Sequence, residues 1–225
     1  MQIGGREVTT AEARPVELPW DGSTVATIYQ ATREVVEAAV EAAAAAAPAM
    51  REMTLDERST ILRRVYQRLL DEREEMALAV SSETGKPIKE ARLEVERAAM
   101  TLLFSSEEAH RLRGEVVPMD ASPAGKGRWA MTVREPLGVI AAITPFNFPL
   151  NLAMHKIGPA IAAGNAVVHK PASATPLSGL RMARLFGECG LPPGALNVVT
   201  GPGGASGDLL VFDKRVAMVT CTGSV

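Results

Sequence analysis

The stretch from Pro136 to Pro176, PLGVIAAITPFNFPLNLAMHKIGPAIAAGNAVVHKPASATP, most constrains what this chain can fold into. Val139 to Ile143 is apolar and uncharged, the mark of a strand buried on both faces. Thr144 to Pro149 breaks it with two prolines, which a central strand does not hold. Leu150 to Ala163 then places apolar residues at helical spacing. Gly164-Asn165 ends that helix, since both residue types tolerate left-handed backbone angles. Ala166 to His169 is a second buried-type strand, and Lys170-Pro171 leaves it. This is a βαβ unit whose polar residues gather after strand ends, the edge at which open parallel sheets bind ligands.

The same alternation continues downstream. A helix over Thr175 to Glu188, capped by Thr175 with Pro176 at its first position, leads to a strand at Leu196 to Val199. A short helix over Ala205 to Phe212 leads to a fourth strand at Val216 to Thr220. Alternating strands and helices predict an α/β fold with a doubly wound parallel sheet.

Upstream, Thr32 caps an alanine-rich helix that runs to Ala47. A capping box, Thr54 with Glu57, opens one long helix that Gly85 and Pro87 stop. Its Arg63, Arg64, Arg68, Glu72 and Arg73 form a solvated face. Ile88 to Arg111 is a third amphipathic helix. Val16 to Leu18 and Thr24 to Ile28 read as short antiparallel edge strands. Gly114 to Met119 and Arg128 to Arg134 read as a protruding hairpin with one buried face, whose edge seeks a partner. The organisation expected is cover at 1–113, an oligomerisation hairpin at 114–135 and a cofactor-binding sheet at 136–225.

Composition removes several functions. A formal net charge of -2 over 225 residues argues against electrostatic binding to nucleic acid or membrane. Aromatic residues at 4% leave little for base stacking. No apolar run approaches the ~20 residues that span a bilayer, and MQIGGREVTT lacks the apolar core of a signal peptide, so a cytoplasmic protein is expected. Cys189 and Cys221 form no disulfide framework, and no Cys/His spacing suggests a metal.

Three turns after strands carry the chemistry: Thr144 to Phe148, Lys170 to Ser173, and Gly201 to Gly204, with Gly223-Ser224 after the fourth strand. Glycines there either admit a phosphate to the backbone or simply make tight turns. GPGGAS is not a GxGxxG fingerprint, and no P-loop is present. Lys170 can hold a ribose or phosphate as a point charge. Asn147, between two phenylalanines at a strand end, is either a turn former or a donor to a developing oxyanion.

TPFNFP, KIGPAIAAGNAVVHKP, GLPPGALNVVTG and CTGS, with ETGKP at Glu83 to Pro87 and REPLGVI at Arg134 to Ile140, closely resemble the aldehyde dehydrogenase superfamily. The resemblance covers Val16 to Ser224 in the family's order and spacing. It implies the Rossmann-like sheet of that family and nicotinamide-dependent oxidation of an aldehyde to an acid through a cysteine thiohemiacetal and thioester. Asn147 matches the oxyanion asparagine. Ile143, Thr144, Pro145 and Phe146 match the segment lining the cofactor. Lys170 matches the lysine that binds the adenosine ribose, Gly203 and Gly207 the passage for adenine, and Ser224 the pyrophosphate contact.

Many NAD-preferring members carry Glu where this chain has Ser173. A carboxylate repels a 2′-phosphate, so NADP, or use of both NAD and NADP, is expected. The family's phenylalanine before Thr-Gly-Ser is Cys221 here, expected as a packing residue. Neither cysteine matches the family's nucleophile, which with the general-base glutamate lies beyond the position of Val225. The chain is therefore expected to be a truncated portion, lacking the catalytic domain and inactive by itself. Phe148 and Met154 are expected along the aldehyde tunnel. Arg97 and His155 resemble positions used by members that take phosphorylated or other anionic aldehydes, including glyceraldehyde-3-phosphate, lactaldehyde and phosphonoacetaldehyde enzymes; with these, the succinate-semialdehyde type is the part of the family the chain most resembles. A homodimer or homotetramer is expected for the complete enzyme. The competing expectation is a non-catalytic nucleotide-binding or assembly module on the same fold.

Overall fold

A computed structural model describes residues 1–223. The chain opens with the short strands β1 (Gln2–Ile3) and β2 (Arg6–Glu7), then the antiparallel pair β3 (Ala13–Glu17) and β4 (Thr24–Tyr29). Four helices follow: α1 (Arg33–Glu52), α2 (Leu55–Asp71), α3 (Arg73–Thr84) and α4 (Ile88–Ala109). Strands β5 (Val116–Val117) and β6 (Ala130–Met131) form the hairpin. The second half runs β7 (Val139–Ile143), α5 (Pro149–Ala162), β8 (Ala166–Lys170), α6 (Leu177–Glu188), β9 (Leu196–Val198), α7 (Gly203–Val211) and β10 (Val216–Cys221).

The main sheet has the order β10-β7-β8-β9-β1-β2. Strands β10, β7, β8 and β9 are parallel, while β1 and β2 add an antiparallel edge, so the sheet is mixed. Both faces are covered. On one, Ala142 and Val167 pack with α2, α4, α5 and α6. On the other, Val139, Ala141, Ala166 and Val168 meet α1 and Leu210 of α7. The chain moves from β7 outward to β9, then crosses back so that β10 pairs with the other side of β7. Strand order thus reverses between β7 and β10, which opens a crevice at the carboxyl ends of these strands.

Local sequence chemistry accounts for several helix ends. Thr32 Oγ1 accepts the Val35 N–H, and the Thr54–Glu57 capping box is complete, at 3.2 Å and 2.8 Å. Gly85, at φ +72°, ends α3 as expected.

Elsewhere the structure corrects the sequence reading. Helix α1 does not stop at Ala47 but passes through Pro48 to Glu52, carrying Met50 into the core at 0% exposure. Burial of that side chain offsets the lost hydrogen bond. The helix expected from Thr54 divides into α2 and α3 at Glu72 (φ −96°, ψ 20°), which lets both halves pack against α4. Thr175 does not cap α6, and its hydroxyl is buried without a partner. Gly164 is left-handed (φ +82°), but Asn165 is not. Asn165 instead accepts the Leu137 and Gly138 N–H groups through Oδ1 and donates to the Ala160 carbonyl, stitching the start of β7 to the end of α5. The hairpin has no buried apolar face, since Val116, Trp129, Met131 and Val133 are all exposed. No helix among the described residues is long and apolar enough to cross a membrane.

Candidate functional site

The carboxyl ends of β7, β8 and β10 and the start of α7 enclose a cleft of about 560 Å³. Ile143, Thr144, Pro145, Phe146, Asn147, Lys170, Ser173 and Gly203 all line it. They come from three separate turns, and the strand order brings them together. Gly207 lies one helical turn beyond Gly203 and outside the lining, and Ser224 lies outside the described residues. Cys221 also lines the cleft and is exposed, which corrects its expected role as packing. Cys189 is buried at the end of α6, and burial pushes its thiol pKa up, which suits an inert side chain.

Asn147 is exposed at the cleft rim. Its Oδ1 accepts the Phe148 N–H at 3.1 Å, which orients the amide and leaves the Nδ2 donor pointing elsewhere. Among the described residues Nδ2 has no acceptor. An oriented donor with a free N–H is what an oxyanion requires.

Lys170 is only 3% exposed, yet it lines the cleft, and its Nζ donates to the Pro171 carbonyl at 3.2 Å. Burial lowers its pKa. Ser173 donates to the Gly201 carbonyl at 2.7 Å, tying the β8–α6 turn to the β9–α7 turn. At Gly203 and Gly207, four residues apart on α7, an added Cβ would meet nothing within 4 Å. Gly203 is exposed at the cleft while Gly207 is buried beyond it, and the open space beside Gly203 together with Lys170 and Ser173 fits a dinucleotide.

Beneath the cleft lie two groups that the sequence reading did not single out. His169 is fully buried, with Nε2 at 3.0 Å from Thr144 Oγ1. Burial foremost, then the charges of Lys170 and Lys156, pushes its pKa down to about 3, so it is neutral. Lys156 reaches from α5 to the hydroxyls of Thr222 (2.7 Å) and Thr220 (3.3 Å), fixing the end of β10.

The helices behind the cleft are held by carboxylates from α3 and α4. Glu83 Oε2 and Oε1 accept the Leu177 and Ser178 N–H groups at 2.6 Å and 3.1 Å, doing at α6 what Thr175 was expected to do. Glu94 Oε1 accepts the Leu150 and Asn151 N–H groups at 3.0 Å and 3.1 Å, capping α5. Lys86 Nζ donates to Glu94 Oε2 and to the Asn147 carbonyl. In the sequence Glu83 and Lys86 read as parts of a helix stop and of a motif that carries the resemblance, and nothing local links them to α5 or α6.

The residues expected at the aldehyde divide into two places. The Phe148 ring has the Lys86 ammonium at 4.4 Å and the Arg97 guanidinium carbon at 5.9 Å from its centre. His155 opens instead on a depression of about 340 Å³ between α4 and α5, which shares no residue with the cleft. Met154 is fully buried in the core and lines neither, correcting its expected place along a tunnel.

A family model described as "Aldehyde dehydrogenase family" matches residues 7–225. The 3-sulfolactaldehyde dehydrogenase of Priestia megaterium is 45% identical over all of this chain and 46% of its own length. The succinate-semialdehyde dehydrogenase [NADP(+)] of Escherichia coli is 37% identical, over 97% of this chain and 44% of its own. The crystal structure of PnpE in complex with nicotinamide adenine dinucleotide superposes with a TM-score of 0.92 at 38% identity, covering 97% of this chain and 44% of that one. The chain thus spans just under half the length of these relatives.

Proposed function

This chain belongs to the aldehyde dehydrogenase family, and from that premise we propose that it serves the NAD(P)-dependent oxidation of an aldehyde to the carboxylic acid. It contributes the dinucleotide-binding edge of the sheet and the oxyanion donor. The observation that carries the reading is the convergence of Thr144 to Asn147, Lys170, Ser173 and Gly203 on one cleft at the strand-order reversal. The bound dinucleotide supplies the hydride acceptor. Lys170 and Ser173 hold its adenosine ribose, and Gly203 and Gly207 leave room for the adenine. Ile143, Thr144, Pro145 and Phe146 line the cleft toward the reacting end, and Ser224 contacts the pyrophosphate. Asn147 Nδ2 donates to the aldehyde oxygen as negative charge develops on it. The thiol nucleophile is assigned to neither Cys189 nor Cys221.

Ser173 places no carboxylate beside Lys170, which favours NADP over NAD. An anionic aldehyde fits Arg97, with Phe148 at the entrance, whereas His155 opens on the separate depression and is not assigned to it; the Priestia relative is named for a sulfonated aldehyde. The exposed hairpin over 114–135 mediates association into a homodimer or homotetramer.

Calorimetric titration of the 225-residue chain with NADP+ and NAD+ tests this reading. NADP+ is expected to bind at least about tenfold more tightly, which corresponds to about 1.4 kcal/mol, and Lys170→Met is expected to abolish the difference. Absence of binding by either dinucleotide would overturn the cofactor assignment. Tighter binding of NAD+ would overturn the preference.

A further inference from the structure

Asn147 sits in a turn with little to hold it locally. Pro145 and Pro149 flank it and offer no N–H group. Its own side chain bonds only one residue away, to the Phe148 N–H. It is exposed, as are both neighbouring phenylalanines. A donor that lowers a barrier by electrostatic stabilisation has to stand in one place before the charge appears, because reorienting it at that moment costs what the interaction supplies.

The restraint comes from about sixty residues upstream. Lys86 Nζ donates to the Asn147 carbonyl at 2.8 Å and to Glu94 Oε2 at 2.6 Å. The same ammonium lies 4.4 Å from the centre of the Phe148 ring. The other oxygen of Glu94 takes both free N–H groups of the first turn of α5. Pro149 has no N–H, and the Leu152 N–H bonds the Phe148 carbonyl, so every backbone donor of that turn is accounted for. Glu94 is 1% exposed and the Lys86 side chain 15% exposed. A pair so removed from water, with both partners otherwise satisfied, holds a single geometry far better than a surface ion pair does.

We propose that Lys86 and Glu94 are positioning residues for Asn147: Glu94 anchors the start of α5, and Lys86 ties the Asn147 main chain to that anchor. The inference rests on the oxyanion role given to Asn147 above. Glu94 thus acts on the helix and Lys86 on the turn before it, and the two effects separate by substitution. Lys86→Met keeps the length of the side chain and removes its donors. It leaves the cap on Leu150 and Asn151 in place and frees the turn.

The test is NMR relaxation and hydrogen exchange on the isotopically labelled 225-residue chain, with the Asn147 side-chain amide assigned by its loss in Asn147→Ala. In Lys86→Met, the order parameters of the Asn147 and Phe148 backbone amides are expected to fall from about 0.85 to below about 0.6. The two Asn147 amide protons should move toward their free-peptide shifts. The Leu150 and Asn151 amides should keep their protection, and the buried Asn165 side chain should not move. Lys86→Met leaves Glu94 without its cation and can fail to fold. Lys86→Met/Glu94→Gln carries no unpaired buried charge, keeps one acceptor oxygen for the Leu150 and Asn151 N–H groups, and is read the same way at Asn147. An Asn147 turn as ordered in either folded variant as in the parent would overturn the proposal. Titration with NADP+ keeps the two readings apart: failure of the functional reading shows as no binding by the parent chain, whereas failure of this one shows as an undisturbed Asn147.

Discussion

Glu83 links the stability of the fold to pH through the support of α6. Its side chain is 2% exposed and accepts the Leu177 and Ser178 N–H groups. Burial is the strongest influence and raises its pKa from 4.5 to about 7, against the pull of those bonds and aided by the nearby charge of Glu94. In the unfolded chain the carboxyl loses its proton near 4.5; in the folded protein it keeps it to about 7. Below 4.5 both states are protonated and the full contribution of the group is present. Through the window from 4.5 to about 7 the unfolded chain binds fewer protons, so stability falls as pH rises. At about 1.4 kcal/mol per pH unit, the loss is about 3 kcal/mol above the window. Glu83→Gln cannot ionise but loses one of the two acceptors, at a cost of about 1 kcal/mol. The variant should therefore be less stable than the parent at about pH 4, cross it near about pH 5, and be more stable by about 2 kcal/mol at about pH 8.5. Urea unfolding at intervals across that range reads the difference directly from midpoints at equal slope. A deficit that stays the same at every pH, without a change of sign, would refute the argument.

His169 carries the opposite linkage. Its pKa falls from 6.5 to about 3, so its contribution is whole above 6.5 and is lost as pH drops toward 3. His169→Gln should flatten the acid limb of the stability profile, read by circular dichroism during acid titration. Asn165→Ala leaves the Leu137 and Gly138 N–H groups without their acceptor and should cost about 2–4 kcal/mol in urea unfolding. The exposed Val116, Trp129, Met131 and Val133 should bring copies of the chain together at micromolar concentration. Sedimentation should show a dimer or larger, and Trp129→Glu/Met131→Lys should yield monomer.

Much of the cleft was legible because its residues follow strand ends directly. Apolar runs without charge gave β7, β8 and β9 nearly to the residue, and two prolines marked the turn that holds Asn147. Once the strands are parallel, their ends share an edge, so Thr144, Lys170, Ser173 and Gly203 had to be neighbours. The division at Glu72 was not legible, because no glycine or proline marks it and each half has an apolar stripe of its own. Nor was the course of α1 beyond Pro48, where a buried Met50 outweighs a local breaker.

Sequence by itself determined the alternation of strands and helices, the turn chemistry and the residue types offered at the cleft. These depend on side-chain periodicity and on backbone preferences that act within a few residues. Only the tertiary structure decided who satisfies the buried helix ends. Glu83 and Glu94 cap helices 94 and 56 or more residues away, and Lys86 reaches across 61 residues to Asn147. A backbone N–H removed from water donates to whichever carboxylate the packing brings to it, and neither partner carries a local mark of the other. The motif Glu83 to Pro87 reads as the end of one helix; in the folded chain it also supports two others.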